Sequence, residues 1–189
     1  MQSKVLRGKH LLEINDNKKK DDIEKESFNL PIGHKVIINS VNKNNSDQIF
    51  IPGIGSCIVP IIYDKNQKIA GLSHILLSTS KKGSIVTYPH KFADLSIKHL
   101  VKELKKHGAE NLEAVIVGGA QIFRVEDNNI GQKNIKIVKK ELKKLKINII
   151  KEEIGGNKGR IFIFDAKNFS ISVKISGSDD YKIIKLTDN

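Results

Sequence analysis

From residue 33 onward the chain alternates short apolar runs with polar breaks, whereas its first 29 residues are charge-dense around Lys18-Lys19-Lys20-Asp21-Asp22. With little apolar surface to bury, residues 1–29 read as a flexible extension. Runs of β type follow at 36–41 and 48–51, separated by the turn-forming residues 42–47. Residues 57–63 and 68–77 flank Asp64-Lys-Asn-Gln67, a pattern that predicts a β-hairpin in which Pro60 favours an edge position or a bulge. Over 92–107, Ala93, Ile97, Leu100, Val101 and Leu104 recur at helical spacing, and Gly108 stands where a C-terminal cap belongs. Residues 114–117 are apolar throughout, as in a strand buried on both faces, and Gly118-Gly119 closes them. A second helix is predicted near 131–146, with Ile135, Val138, Leu142 and Leu145 on its inner stripe. Strands at 147–150, 160–165 and 169–175 complete the pattern, joined by turns at 155–159 and 166–168. The pattern predicts one α+β layered domain over 30–176, with mixed β-sheet layers and two main helices, followed by a loose tail at 177–189.

Length agrees, since 189 residues suffice for one well-cored domain. The charge needs dissection. Thirty-three basic residues against 21 acidic give +12, but only Arg7, Arg124 and Arg160 are arginines, and 30 isoleucines and 16 asparagines accompany the lysines. Arginine grips phosphates bidentately and aromatic rings stack on single strands, so a lysine-rich chain with 5% aromatics argues for a solvated surface and against a nucleic-acid partner. The extension holds seven basic and six acidic residues, which leaves +11 downstream. Seven lysines against Glu141 put +6 on the second predicted helix, and a nucleic-acid reading of that helix would rest on charge alone. One cysteine excludes an intrachain disulfide, and no run reaches the roughly 18 apolar residues of a membrane span, so a cytoplasmic protein without membrane insertion is expected.

That cysteine, Cys57, follows the glycine-rich Pro52-Gly-Ile-Gly-Ser56. The turn at Gly53, Gly55 and Ser56 can present backbone N–H groups to an oxyanion, although a lone cysteine opening an apolar strand is by itself ordinary core. The hairpin adds a partner. If the loop 64–67 is symmetric, Cys57 faces His74 across the two strands and on the same sheet face. An imidazole that takes the thiol proton makes a thiolate able to attack a carbonyl carbon, which points to acyl transfer. No histidine or cysteine spacing suits a zinc site, and Gly155-Gly-Asn-Lys-Gly159 reads as a tight turn lacking the P-loop's Lys-Ser/Thr ending.

Six blocks, in order over about 28–176, resemble the CheD family of chemoreceptor glutamine deamidases of bacterial chemotaxis: Gly53-Ile-Gly-Ser-Cys57, Ile58-Val-Pro-Ile-Ile-Tyr-Asp64, Gly71-Leu-Ser-His74-Ile-Leu-Leu77, Gly118-Gly-Ala-Gln-Ile-Phe123, Ile130-Gly-Gln-Lys-Asn134 and Gly155-Gly-Asn-Lys-Gly-Arg160. The resemblance implies the layered α/β fold of cysteine-dependent deamidase toxins and hydrolysis of receptor glutamines to glutamates without a cofactor. It implies Cys57 as nucleophile and His74 as base, with Asn157 and Arg160 as candidate substrate- or partner-binding residues. Its implied partners are chemoreceptor cytoplasmic domains and a CheC-type phosphatase. One departure stands out: the family commonly has threonine six residues before the nucleophile, assisting the histidine, and this chain has Ile51. An isoleucine offers no hydrogen bond, so a backbone carbonyl or another group must orient the ring, or catalysis weakens. The alternative reading is thus a weakly or non-catalytic module that docks to receptors and the phosphatase.

Overall fold

A computed structural model describes residues 27–40, 48–81, 86–122 and 129–187; the predicted extension up to residue 26, the turn at 42–47 and Phe123 lie outside them. One five-stranded sheet orders β1 (Phe28–Asn29), β3 (Gln48–Ile54), β8 (Arg160–Asp165), β9 (Ser170–Ile175) and β10 (Lys182–Lys185). The other orders β2 (Lys35–Asn39), β5 (Ile69–Ser73), β4 (Ile58–Asp64), β6 (Glu113–Gly118) and β7 (Asn148–Ile154). The pairs β1–β3 and β6–β7 are parallel and the others antiparallel, so both sheets are mixed.

Period-two alternation sorts the strand residues between two cores. Val59, Ile61 and Tyr63 of β4 join Leu72, Val117, Phe162, Phe164 and Ile171 between the sheets. Ile58 and Ile62 point the other way, against Ile97, Leu100 and Leu104 of helix α1 (Ala93–Lys106) and Val138 and Leu142 of helix α2 (Ile130–Lys144). The result is three layers, sheet on sheet on helices, the predicted α+β arrangement. Fully burying such an isoleucine contributes about 1.5–3 kcal/mol, which is why the apolar spacing governs where each element lies. Gly108 takes φ +91° after α1, as the cap required, and the Asn129 side chain accepts from the Gln132 N–H at the start of α2.

Three expectations need correction. Pro60 lies in β4, an interior strand between β5 and β6, with no bulge in its pairing to β6. Ile58 exchanges both backbone bonds with Ile75, so by alternation the nitrogen of Pro60 faces β5, and the named ladder between these two strands stops at Ile61, just short of it. The bulge sits at Pro52-Gly53 instead, between Ile51 opposite Phe162 and Ile54 opposite Arg160. The third correction concerns the ends of the domain. Lys182–Lys185 pair with β9 and Leu186 is buried in the inter-sheet core, so this stretch is an edge strand and not a loose tail. At the other end, Phe28–Asn29 already pair with β3.

Candidate active site

The β4–β5 hairpin carries Cys57 and His74, but not in the predicted register. Asp64 stays in the strand opposite Ile69, and the loop becomes 65–68, with Lys68 at φ +49°. The cause is the Asp64 carboxylate, which is fully buried and accepts from the N–H groups of Asn66, Gln67, Glu110 and Asn111 at 2.8–3.1 Å. Moving the loop by one residue shifts the pairing by two, so Ile61 faces Leu72 and Ile58 faces Ile75. Continuing that register puts His74 opposite Val59 and Cys57 opposite Leu76, which makes the thiol and the imidazole diagonal neighbours. An even shift leaves both on one face, and diagonal Cβ atoms lie about 7–8 Å apart or slightly less, within the span of an imidazole.

Burial supports this placement. Cys57 belongs to the inter-sheet core at 8% exposure, and His74 is 5% exposed. The His74 ring nitrogen Nδ1 lies 3.0 Å from the carbonyl oxygen of Leu30, itself part of that core, so a neutral imidazole donates Nδ1–H there and carries its lone pair on Nε2. Nε2 is buried and has no hydrogen-bond partner. The backbone of His74 is also fixed, since its N–H donates to His34 O and its carbonyl accepts from Gly33 N. Burial pushes the Cys57 thiol above its ordinary pKa, partly offset by its own backbone N–H. Burial pushes His74 below its ordinary value, partly offset by the bond to Leu30. Both shifts favour the uncharged forms at rest, a thiol and a neutral imidazole on one sheet face, and Nε2 makes no hydrogen bond to the Cys57 sulfur.

Around Cys57, the carbonyl of Gly55 accepts from Ala120 N, that of Ser56 from Asn134 Nδ2, and that of Cys57 from Gly119 N. Gly118 (φ +116°) and Gly119 (φ +68°) allow this approach, because a Cβ on Gly118 would collide with the Cys57 carbonyl. Gly53 is exposed, and Gly55 and Ser56 are half-buried, so the loop meets solvent beside the buried thiol. Asn157 is exposed in the turn after β7. Arg160 is buried and donates Nη1 to Gly155 O at 2.9 Å, which braces that turn. Ser73 donates nothing to His74's ring: it faces the helices, where Ser96 Oγ donates to its hydroxyl at 2.8 Å.

Two participants escaped the sequence. Leu30 acts through a carbonyl, which no side-chain pattern records. Asn134 left a trace, as one of two polar residues, with Glu141, among the buried positions of α2. Among the described residues no three His, Cys, Asp or Glu side chains are grouped to hold a metal ion, and no helix is long and apolar enough to cross a membrane.

Comparison with known proteins places the chain in a family. The model for CheD chemotactic sensory transduction matches residues 76–175. A probable chemoreceptor glutamine deamidase CheD of Clostridium botulinum (strain Eklund 17B) is 45% identical over 150 residues, covering 76% of this chain and 93% of the relative. Proteins of the same name are 43% identical over 143 residues in Clostridium acetobutylicum, covering 72% of this chain and 86% of the relative, and 46% identical over 139 residues in Clostridium botulinum (strain Hall), covering 70% and 86%. With over half of its length matched by the family model and relatives covered nearly end to end, the chain belongs to the CheD family.

Proposed function

We propose that this protein is a chemoreceptor glutamine deamidase, with Cys57 as nucleophile and His74 as general base. The observation that carries the reading is His74 Nε2, a buried lone pair without a partner on the sheet face of the only thiol in the chain. In the reaction Nε2 takes the Sγ proton as the thiolate attacks the side-chain amide carbon of a receptor glutamine. Backbone N–H groups of the Gly53, Gly55 and Ser56 loop stabilise the oxyanion. The imidazolium returns the proton to the amide nitrogen, ammonia leaves and a thioester remains. Water, deprotonated by Nε2, then adds to the thioester carbonyl, and collapse releases glutamate and the Cys57 thiol. Atoms balance as glutamine plus water giving glutamate plus ammonia, and the proposed chemistry uses no cofactor.

The site binds its substrate from the cytoplasmic side of the membrane, where receptor signalling domains lie, with exposed Asn157 in the surrounding surface and buried Arg160 acting only through the turn that it braces. A CheC-type phosphatase is the second proposed partner. The binding-module alternative drew its support from Ile51, and the Leu30 carbonyl removes much of that ground by orienting the ring. The test is incubation of a cognate receptor cytoplasmic domain with wild type and Cys57→Ala, followed by peptide mass spectrometry. We expect a gain of about one dalton at specific glutamines with wild type only, through loss of the nucleophile. Absence of a Cys57-dependent gain would refute the enzyme and leave the docking module, whose phosphatase affinity survives Cys57→Ala.

A further inference from the structure

Asn134 is fully buried on α2, among Gly131, Ile135, Val138 and Leu142. Its Nδ2 donates to two backbone carbonyls, Ser56 O and Leu76 O, both at 2.9 Å. Because both neighbours are acceptors, chemistry fixes the orientation of the amide. Its Oδ1 consequently points into protein and is buried without a partner. For packing alone an apolar side chain of similar size serves better than a half-satisfied buried amide. The two carbonyls explain the choice. Ser56 immediately precedes Cys57, and Leu76 lies opposite Cys57 in the continued β4–β5 register. One side chain therefore ties together the two backbone segments that frame the nucleophile.

We propose that Asn134 is a positioning residue that sets the direction of the Cys57 N–H by holding the carbonyl of the Ser56–Cys57 peptide. A trans peptide is planar, and its C=O and N–H point in opposite directions, so anchoring one aims the other. That N–H is the group beside the Cys57 sulfur, where it favours the thiolate against the cost of burial. It is also the donor nearest to an oxyanion forming on a carbon bonded to Sγ. The helix can deliver such an anchor because its first turn is docked on the Gly119-Ala120 segment, whose N–H groups hold the Cys57 and Gly55 carbonyls. Gly131 packs so closely on the Gly119 and Ala120 carbonyls that a Cβ there would overlap them. Of the three carbonyls in the Gly55-Ser56-Cys57 loop, those of Gly55 and Cys57 are held by backbone N–H groups, and Ser56 alone depends on a side chain.

This inference rests on Cys57 being the nucleophile, and its test does not require the receptor. Cys57 is the only thiol, so iodoacetamide alkylation followed across pH reports it alone. Asn134→Leu and Asn134→Asp are compared with Asn129→Ala, which removes the N-cap of the same helix without touching Ser56. Both Asn134 variants are expected to raise the alkylation midpoint, seen as an alkylation rate about 3- to 10-fold lower at a fixed pH below it. Where deamidation is measurable, kcat falls about 10- to 100-fold with KM nearly unchanged. Asn129→Ala lowers Tm and leaves the midpoint in place. If Asn134→Leu does not fold, the Asp variant carries the comparison, and Asn134→Ala replaces both if neither folds. A folded Asn134 variant with the wild-type midpoint overturns the proposal, as does a shift of equal size in Asn129→Ala. Loss of deamidation in wild type itself would remove the enzymatic reading while leaving the alkylation comparison decisive for the peptide anchor.

Discussion

Ile51 stands where the resembled family carries threonine, and its side chain is 1% exposed in the inter-sheet core, opposite Phe162. The missing hydroxyl would matter if His74 had no other means of holding its tautomer. It has one, because the Leu30 carbonyl occupies Nδ1 and leaves Nε2 as the basic atom. Ile51→Thr is therefore expected to change the deamidation rate by less than about threefold. It should cost about 2–4 kcal/mol of stability, since a hydroxyl replaces an ethyl group in an apolar site. Urea unfolding and receptor deamidation measured on the same preparation test both statements. An increase in kcat of tenfold or more would show that the Leu30 bond does not orient the ring well enough for catalysis. The residue-scale chemistry was readable only in part. Glycine-rich sequence ending in the sole cysteine marked the nucleophile, whereas the orienting group is a backbone oxygen contributed from 44 residues away.

Asp64 shows how one side chain sets the geometry of an element. Its carboxylate collects four backbone N–H groups, two from the hairpin loop and two from the segment after α1, and so fixes both the loop position and the approach of β6. Burial alone would raise its pKa, but the four donors outweigh that effect and hold it below the ordinary carboxylate range. Asp64→Ala is expected to destabilise by about 2–4 kcal/mol, because several donors lose their acceptor, and urea denaturation measures the loss. A lowered pKa means that the stabilisation is present above the unfolded value of 3.8 and disappears as pH falls through the folded one. A loss under about 0.5 kcal/mol would mean that water replaces the carboxylate at all four donors. The sequence predicted this hairpin and misplaced its register, because Asp64 reads as a turn residue when its long-range partners Glu110 and Asn111 are unknown. Other elements divide along the same line. The two helices were legible because their spacing lets one apolar stripe face the core. Two edge strands were less so: β7 continues past the predicted 147–150 through Lys151, Glu152 and Glu153, and β10, with lysines at both ends, reads as a tail. Their charges are paired, Lys182 of β10 with Glu153 of β7 and Lys139 of α2 with Glu152 of β7, so polar sequence there conceals paired strand.

At the scale of the molecule, the three layers place two buried histidines in different cores. His74 lies between the sheets, while His90 sits at the helix layer with Nδ1 3.1 Å from Ser96 Oγ, which in turn donates to Ser73. Ser73 and His74 are consecutive, so this chain of hydroxyls braces the helix-facing side of the strand whose other face presents the base. Burial is the largest reason that His90 is pushed down to about 4, and Lys35 from β2, His99 from α1 and His34 add to it, with Glu103 opposing. His74 is lowered in the same direction by its own burial. Both histidines take up protons more readily in the unfolded chain, so the native state is favoured above the unfolded value of 6.5 and loses stability as pH falls. For His90 the loss develops between 6.5 and about 4, with an upper bound of about 3 kcal/mol. His90→Gln keeps a donor for Ser96 and removes the titration. Its unfolding free energy, measured by urea titration at pH 7.5, 5.5 and 4.5, should therefore decline less steeply than that of wild type. Parallel pH profiles for the two proteins would show that His90 gains its proton without unfolding the layer around it. In that outcome the acid sensitivity of the fold would have to come from His74 and the carboxylates alone.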